Sequence, residues 1–193
     1  MQKILYCLFF LVCIIILGCS AKDTTPQAAN PMGLSGKRIP EAETAYARAR
    51  ILWNKDDECA DPEEALALLD KAIALEPTYA DAYTRRGLAK SALRDWEGAF
   101  NDLSIAIRSI PSAENYAFRG LISILGGNYL GARKDLERSL SITSRQHRAW
   151  LYRGILNRLE GSNQQACDDY TKACDYGDCK SIYSAREAGQ CPR

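Results

Sequence analysis

The chain has 193 residues, with 25 Lys and Arg against 24 Asp and Glu, a single His and eight Cys. That near-neutral balance, without a local Lys or Arg cluster, removes the electrostatic footprint that a nucleic-acid partner requires. The length suits one domain with a tether. A lone His147 and the lack of a Gly-rich phosphate loop give no catalytic constellation, so no enzyme, cofactor or metal is expected.

Residues 1–18 begin with a basic position, Lys3, run apolar from Ile4 to Leu17 and end in Gly18. That apolar run is short of the roughly 20 residues a helix needs to cross a bilayer, so it reads as a signal peptide. Its removal takes away one Lys and leaves the mature chain with equal numbers of positive and negative side chains. Ile16, Leu17, Gly18 and Cys19 resemble the lipobox of bacterial lipoproteins. That resemblance implies cleavage ahead of Cys19 and acylation of its thiol and amine; an ordinary signal peptide cut near Cys19 is the alternative. Two or three acyl chains, at about 0.8 kcal/mol per buried methylene, anchor a protein firmly. Ser20 follows where inner-membrane lipoproteins of enteric type carry Asp, which favours the outer membrane, facing the periplasm. Residues 20–40, with three Pro and two Gly, form a tether reaching about 25 Å.

From Glu41 onward apolar residues recur at helical spacing. Gly87, Gly120 and Gly154 stand 33 and 34 apart, and Ala99, Ala132 and Ala166 each follow their glycine by 12. Upstream, Ala65, Leu69, Ala72 and Pro77 precede Ala99, Leu103, Ala106 and Pro111 by 34. Tyr83, Tyr116 and Trp150 each stand one helical turn ahead of a glycine. Together these positions resemble the tetratricopeptide repeat, a helical hairpin of about 34 residues. The third copy departs at Ser139 and Ser144 and the fourth at Asp178. The first copy has Trp53 in place of Gly and Ala49 in place of the aromatic, which puts its first helix in question. The expected fold is all-α: an α-solenoid of three clear repeats, a degenerate N-terminal one and a C-terminal capping helix. The expected segments are a leader at 1–18, lipidated Cys19 and tether at 19–40, repeats at 41–178, and a stapled cap and tail at 179–193. Gly and Ala belong where two helices leave no room for a branched side chain.

Arg86, Arg119 and Arg153 precede the glycines, and Asp102, Asp135 and Asp169 follow each Arg by 16. Hairpin geometry brings these positions level, predicting structural ion pairs between paired helices; an acid-base site repeated three times down a stack is the poorer reading. Cys167, Cys174, Cys179 and Cys191 cluster at the C-terminal end. A turn at 176–178 and an antiparallel return to about 188 suit the nested pairs Cys174 with Cys179 and Cys167 with Cys191, though four cysteines allow three pairings. Zinc is the rival, disfavoured without a CxxC or a nearby His. Cys59 is left over, as a free thiol or an intermolecular link.

The family resemblance implies a concave groove lined by the first helix of each unit. Its positions bring Leu88 from the second unit, Ala117, Leu121, Ile124 and Leu125 from the third, and Leu151, Ile155 and Arg158 from the fourth. An apolar strip of this kind suits a helix or extended peptide, unless neighbouring repeats fill it. The implied function is a lipid-anchored adaptor similar to envelope-assembly lipoproteins such as assembly factors and pilotins. The competing class is an accessory subunit or small-ligand binder of an envelope enzyme or transport system.

Overall fold

The computed structural model describes residues 38–54 and 58–192. The leader, the lipobox with Cys19 and the tether up to residue 37 lie outside the described residues, as do residues 55–57. Among the described residues the chain forms α1 (Pro40–Arg50), α2 (Pro62–Leu75), α3 (Ala80–Ala92), α4 (Trp96–Ser109), α5 (Ala113–Leu125), α6 (Tyr129–Ile142), α7 (His147–Leu159), α8 (Asn163–Asp175) and α9 (Lys180–Glu187). Consecutive helices pack in sequence, α1 on α2, α3 on α4, α5 on α6 and α7 on α8, and each pair stacks on the next.

Local chemistry sets the helix boundaries. Asp61, Asp95, Ser112 and Asn128 each accept a hydrogen bond from the backbone N–H three residues on, satisfying donors that a helix start leaves open. Three-residue turns join the helices within the last three repeats, and their middle residue is left-handed: Arg94 (φ 62°), Gly127 (φ 78°) and Gly161 (φ 80°). Two of these are glycine, which takes that conformation freely, whereas Arg94 does so at a cost of about 1 kcal/mol or more.

Inside each hairpin the small residues meet. A Cβ added at Gly87 would lie 3.1 Å from the Ala99 carbonyl oxygen, at Gly120 2.8 Å from Leu136 Cγ, and at Gly154 2.5 Å from the Tyr170 ring. Ala99, Ala132 and Ala166 are buried across these contacts, with Leu103, Leu136 and Tyr170 filling the next turn. Ser139, which replaces an alanine of the pattern, is fully buried and donates from Oγ to the Ala113 carbonyl at 2.6 Å. Its hydroxyl is thereby satisfied in an apolar setting.

The first unit takes a different path. α1 ends at Arg50, ahead of Trp53, and α2 begins only at Pro62, a far longer connection than the turns of the later hairpins. An indole cannot occupy the gap that Gly87, Gly120 and Gly154 leave, so the chain quits the helix. Trp53 instead pairs with Cys59 in an isolated antiparallel bridge, closed by Ala60 N–H donating to the Leu52 carbonyl at 2.8 Å. Cys59 is a free, half-buried thiol, and burial raises its pKa, which blunts its reactivity. Ala42, Ala45 and Ala49 of α1 are buried against the rest of the N-terminal cluster, where the Tyr46 and Tyr79 rings lie 4.7 Å apart. Arg38 lies over the Tyr79 ring and donates to its hydroxyl at 2.8 Å. Burial, partly opposed by Arg38, pushes that hydroxyl up to about 12, so stability falls as pH rises from the ordinary tyrosine range toward 12.

At the other end α9 folds back on α8, burying Ile182 and Ala185 against Ala166, Cys167 and Tyr170. Disulfides join Cys167 to Cys191 (Cα–Cα 5.5 Å) and Cys174 to Cys179 (Cα–Cα 4.0 Å). The exposed face that ends any helical stack is thus covered by a helix too short to persist alone. Replacing Cys167 and Cys191 by Ser should lower stability by about 2 to 4 kcal/mol, and the shorter Cys174–Cys179 loop should cost less. Thermal melting of the two double variants checks this order; the reverse order would contradict it.

Candidate functional site

Two surfaces carry the residues singled out by the repeat. The first is a ladder of ion pairs along one edge of the stack. Arg86 donates from Nε and Nη2 to both oxygens of Asp102 (2.8 and 2.7 Å), and Arg119 does the same to Asp135 (2.8 and 2.7 Å). Arg153 repeats the fork on Asp169 (3.0 and 2.7 Å). The carboxylates are buried and the guanidinium groups largely so. The aspartate partner raises the pKa of Arg86 and of Arg119, against the opposing effect of burial. Each guanidinium also lies over the aromatic three residues before it, Tyr83, Tyr116 or Trp150, at 5.2, 5.8 and 4.7 Å.

The ladder crosses between repeats. The remaining Nη1 of Arg86 donates to Asp70 of α2 at 2.7 Å, and that of Arg119 to Ser104 of α4 at 3.1 Å. Asp70 and Ser104 occupy the same repeat position, a relation visible in the sequence only when copies are compared at that position. The carboxylate held in each fork has both oxygens engaged. The array therefore ties neighbouring repeats together.

The second surface is the face formed by α3, α5 and α7. The structure divides the eight residues assigned to it. Ala117 is fully buried and Ile124 is 6% exposed, both packed with Ala149 and Leu156 of α7. These two cannot meet a partner, because α5 is gripped from both sides: Phe118 and Ile122 pack back on Ala99 and Leu103 of α4, while Ala117 and Ile124 pack forward. Leu151 and Ile155 are half-buried against the cluster that holds α9, and Arg158 donates from Nη1 to the Gln190 side chain at 3.1 Å. The C-terminal segment therefore engages the fourth unit's share. Leu88 and Leu121 are half-buried and Leu125 is 46% exposed. Leu159, at the Leu125 position of the next unit, is 54% exposed and extends the same row.

No family model matches the chain. A curated relative, tetratricopeptide repeat protein 36 of cattle, is 31% identical over 149 residues, covering 69% of this chain and 79% of the relative. The chain belongs to the tetratricopeptide repeat family. Human tetratricopeptide repeat protein 13 is 32% identical over 111 residues, 58% of this chain, and the match takes in 13% of that longer protein. Solved structures agree in fold. PilF of Pseudomonas aeruginosa superposes with a TM-score of 0.60 at 19% identity, covering 78% of this chain and 74% of PilF. The first tetratricopeptide domain of Spaghetti (RPAP3), bound to an HSP90 peptide, gives 0.55 at 19% identity over 66% of this chain and 98% of that one. YrrB, described as having an unusual peptide-binding site, gives 0.55 at 18% identity over 78% of each chain.

Removing one member of a buried fork strands the other charge. Arg119→Met should therefore cost about 3 to 5 kcal/mol, and Arg119→Met with Asp135→Leu distinctly less than the two single losses added. A double-mutant cycle by chemical denaturation measures the coupling; strict additivity would show that the fork carries no energy.

Proposed function

We propose that this tetratricopeptide protein is a non-enzymatic adaptor, anchored by acyl chains on Cys19 to the periplasmic side of a bacterial outer membrane, and that it holds a protein partner in envelope assembly. The observation that carries the binding half is the row Leu88, Leu121, Leu125 and Leu159 on the first helices of successive units, which the stack leaves half-buried or exposed. Aliphatic positions repeating once per unit on one face suit an apolar helix or extended segment of a partner. Two proteins of similar fold are described in complex with a peptide or as possessing a peptide-binding site, which supports this use of the scaffold. The lipobox residues Ile16 to Cys19 and the tether after them support the anchoring half.

The second reading, a small-ligand binder or accessory subunit of an envelope enzyme or transport system, would place a compact ligand on the same face. The two separate experimentally. Leu121→Asp and Leu125→Asp should abolish co-purification of a specific envelope protein from solubilised membranes, while Leu75→Asp, an exposed leucine on α2, should not. Retention of the partner in both α5 variants would refute the adaptor reading. Intact mass of the mature protein should show acyl additions on Cys19, which a Cys19→Ser variant should lack; an unmodified mature mass would remove the anchor.

A further inference from the structure

A cavity of about 540 Å³ lies between α4 and the C-terminal end of α5, lined by residues that include Arg94, Trp96, Glu97, Phe100, Ile122 and Gly126. Two of these wall residues depart from the other copies. The turns after α5 and α7 put glycine at their left-handed position, Gly127 and Gly161, whereas the turn after α3 puts Arg94 there, at φ 62°. Gly126 is the reverse case. Its φ of −84° is open to any residue, and the same position holds Leu93 in the second unit and Glu160 in the fourth. A Cβ at Gly126 would stand 3.4 Å or more from its neighbours, so neither backbone nor packing calls for glycine there.

The junction of α6 and α7 is built differently. Arg133, at the repeat position of Phe100, donates to Asn157 at 3.0 Å and pairs with Glu160, at the position of Gly126. The junction of α4 and α5 cannot form that pair, because Gly126 has no side chain to reach across. Phe100 is instead 37% exposed and Trp96 half-buried, and both rings line the open space. A glycine without a backbone reason keeps this cavity open, and an arginine held in a left-handed turn stands in its wall; strain of that kind clusters at binding sites. Charge narrows the ligand. A cation would meet Arg94 in the wall and the Arg119 guanidinium, 5.2 Å from the Phe100 ring centroid. An anion would meet Glu97 and also Asp95, the residue that caps α4. A neutral ring suits each part: ring on ring with Trp96 and Phe100, apolar contact with Ile122, and the Arg94 cation over its face.

We propose that this cavity takes a neutral aromatic side chain, of phenylalanine type, from a segment of a partner protein. That the ring comes from a protein rests on the adaptor reading given above; that the cavity takes a ring rests on its walls alone. The arriving ring fills the space that the absent side chain at position 126 leaves beside Trp96 and Phe100.

The test uses the isotope-labelled full chain in detergent, with N-acetyl-phenylalaninamide as probe and N-acetyl-cyclohexylalaninamide as its saturated counterpart. The indole N–H signal of Trp96 is assigned by its loss in Trp96→Phe. The phenylalanine probe should shift that signal saturably, with the cyclohexyl probe binding at least about threefold more weakly. Gly126→Leu recreates Leu93 of the second unit and should weaken binding of the phenylalanine probe about tenfold or more. Arg94→Gly keeps the turn in the form of Gly127 and Gly161 and should weaken it about threefold. Circular dichroism checks that each variant stays helical, and either one decides the matter if the other fails to fold. Benzyl alcohol identifies the source: binding no tighter than that of the blocked phenylalanine supports a protein side chain, and tighter binding marks a free aromatic molecule and overturns the assignment to a partner. Equal binding of the phenyl and cyclohexyl probes, or undiminished binding in folded Gly126→Leu, overturns the proposal. Either result leaves the leucine row untouched, since Leu121→Asp and Leu125→Asp test that separately.

Discussion

Everything in this molecule follows from how closely two helices approach within each hairpin. At Gly87, Gly120 and Gly154 the first helix has no side chain, and the second helix presents a buried alanine and a large residue in the space that opens. Dispersion and apolar burial then act over a short interaxial distance, where many weak contacts add. That approach fixes the register between the two helices, and the register in turn sets Arg86 level with Asp102, Arg119 with Asp135 and Arg153 with Asp169. The forks do not create the hairpin, since buried ion pairs contribute little net stability; they penalise any other register, in which a carboxylate would be buried without its partner.

Where the small residue is missing, the consequence is visible. Trp53 stands where a glycine would, and the helix stops before it, leaving a long connection and a short bridge in place of a tight turn. The opposite end of the stack is finished by α9, whose two cystine links hold an apolar helix face against Tyr170 and Cys167. The array is thus bounded by two different solutions to one problem, the open face that a stack of hairpins always leaves.

The recurrence of Gly, Ala and the aromatic ahead of each glycine made the fold legible in the sequence, because those residue types answer directly to helix spacing. The candidate binding face was legible in outline only. A single repeat pattern places Ala117 and Ile124 on that face, but it cannot say how far the next hairpin rotates over them, and in the folded chain α7 covers both. Leu151, Ile155 and Arg158 were similarly claimed by the C-terminal segment, whose course depends on contacts far from them in sequence.

The most direct test of the central claim is a Gly→Ala series at Gly87, Gly120 and Gly154, read as unfolding free energy. Alanine in a helix interior ordinarily gains about 1 kcal/mol over glycine. Here the new Cβ would meet its neighbour at 3.1, 2.8 and 2.5 Å in that order, the last against the ring of a tyrosine held by α9. The account predicts loss of stability that grows from Gly87 to Gly154. A uniform gain at all three positions would contradict it.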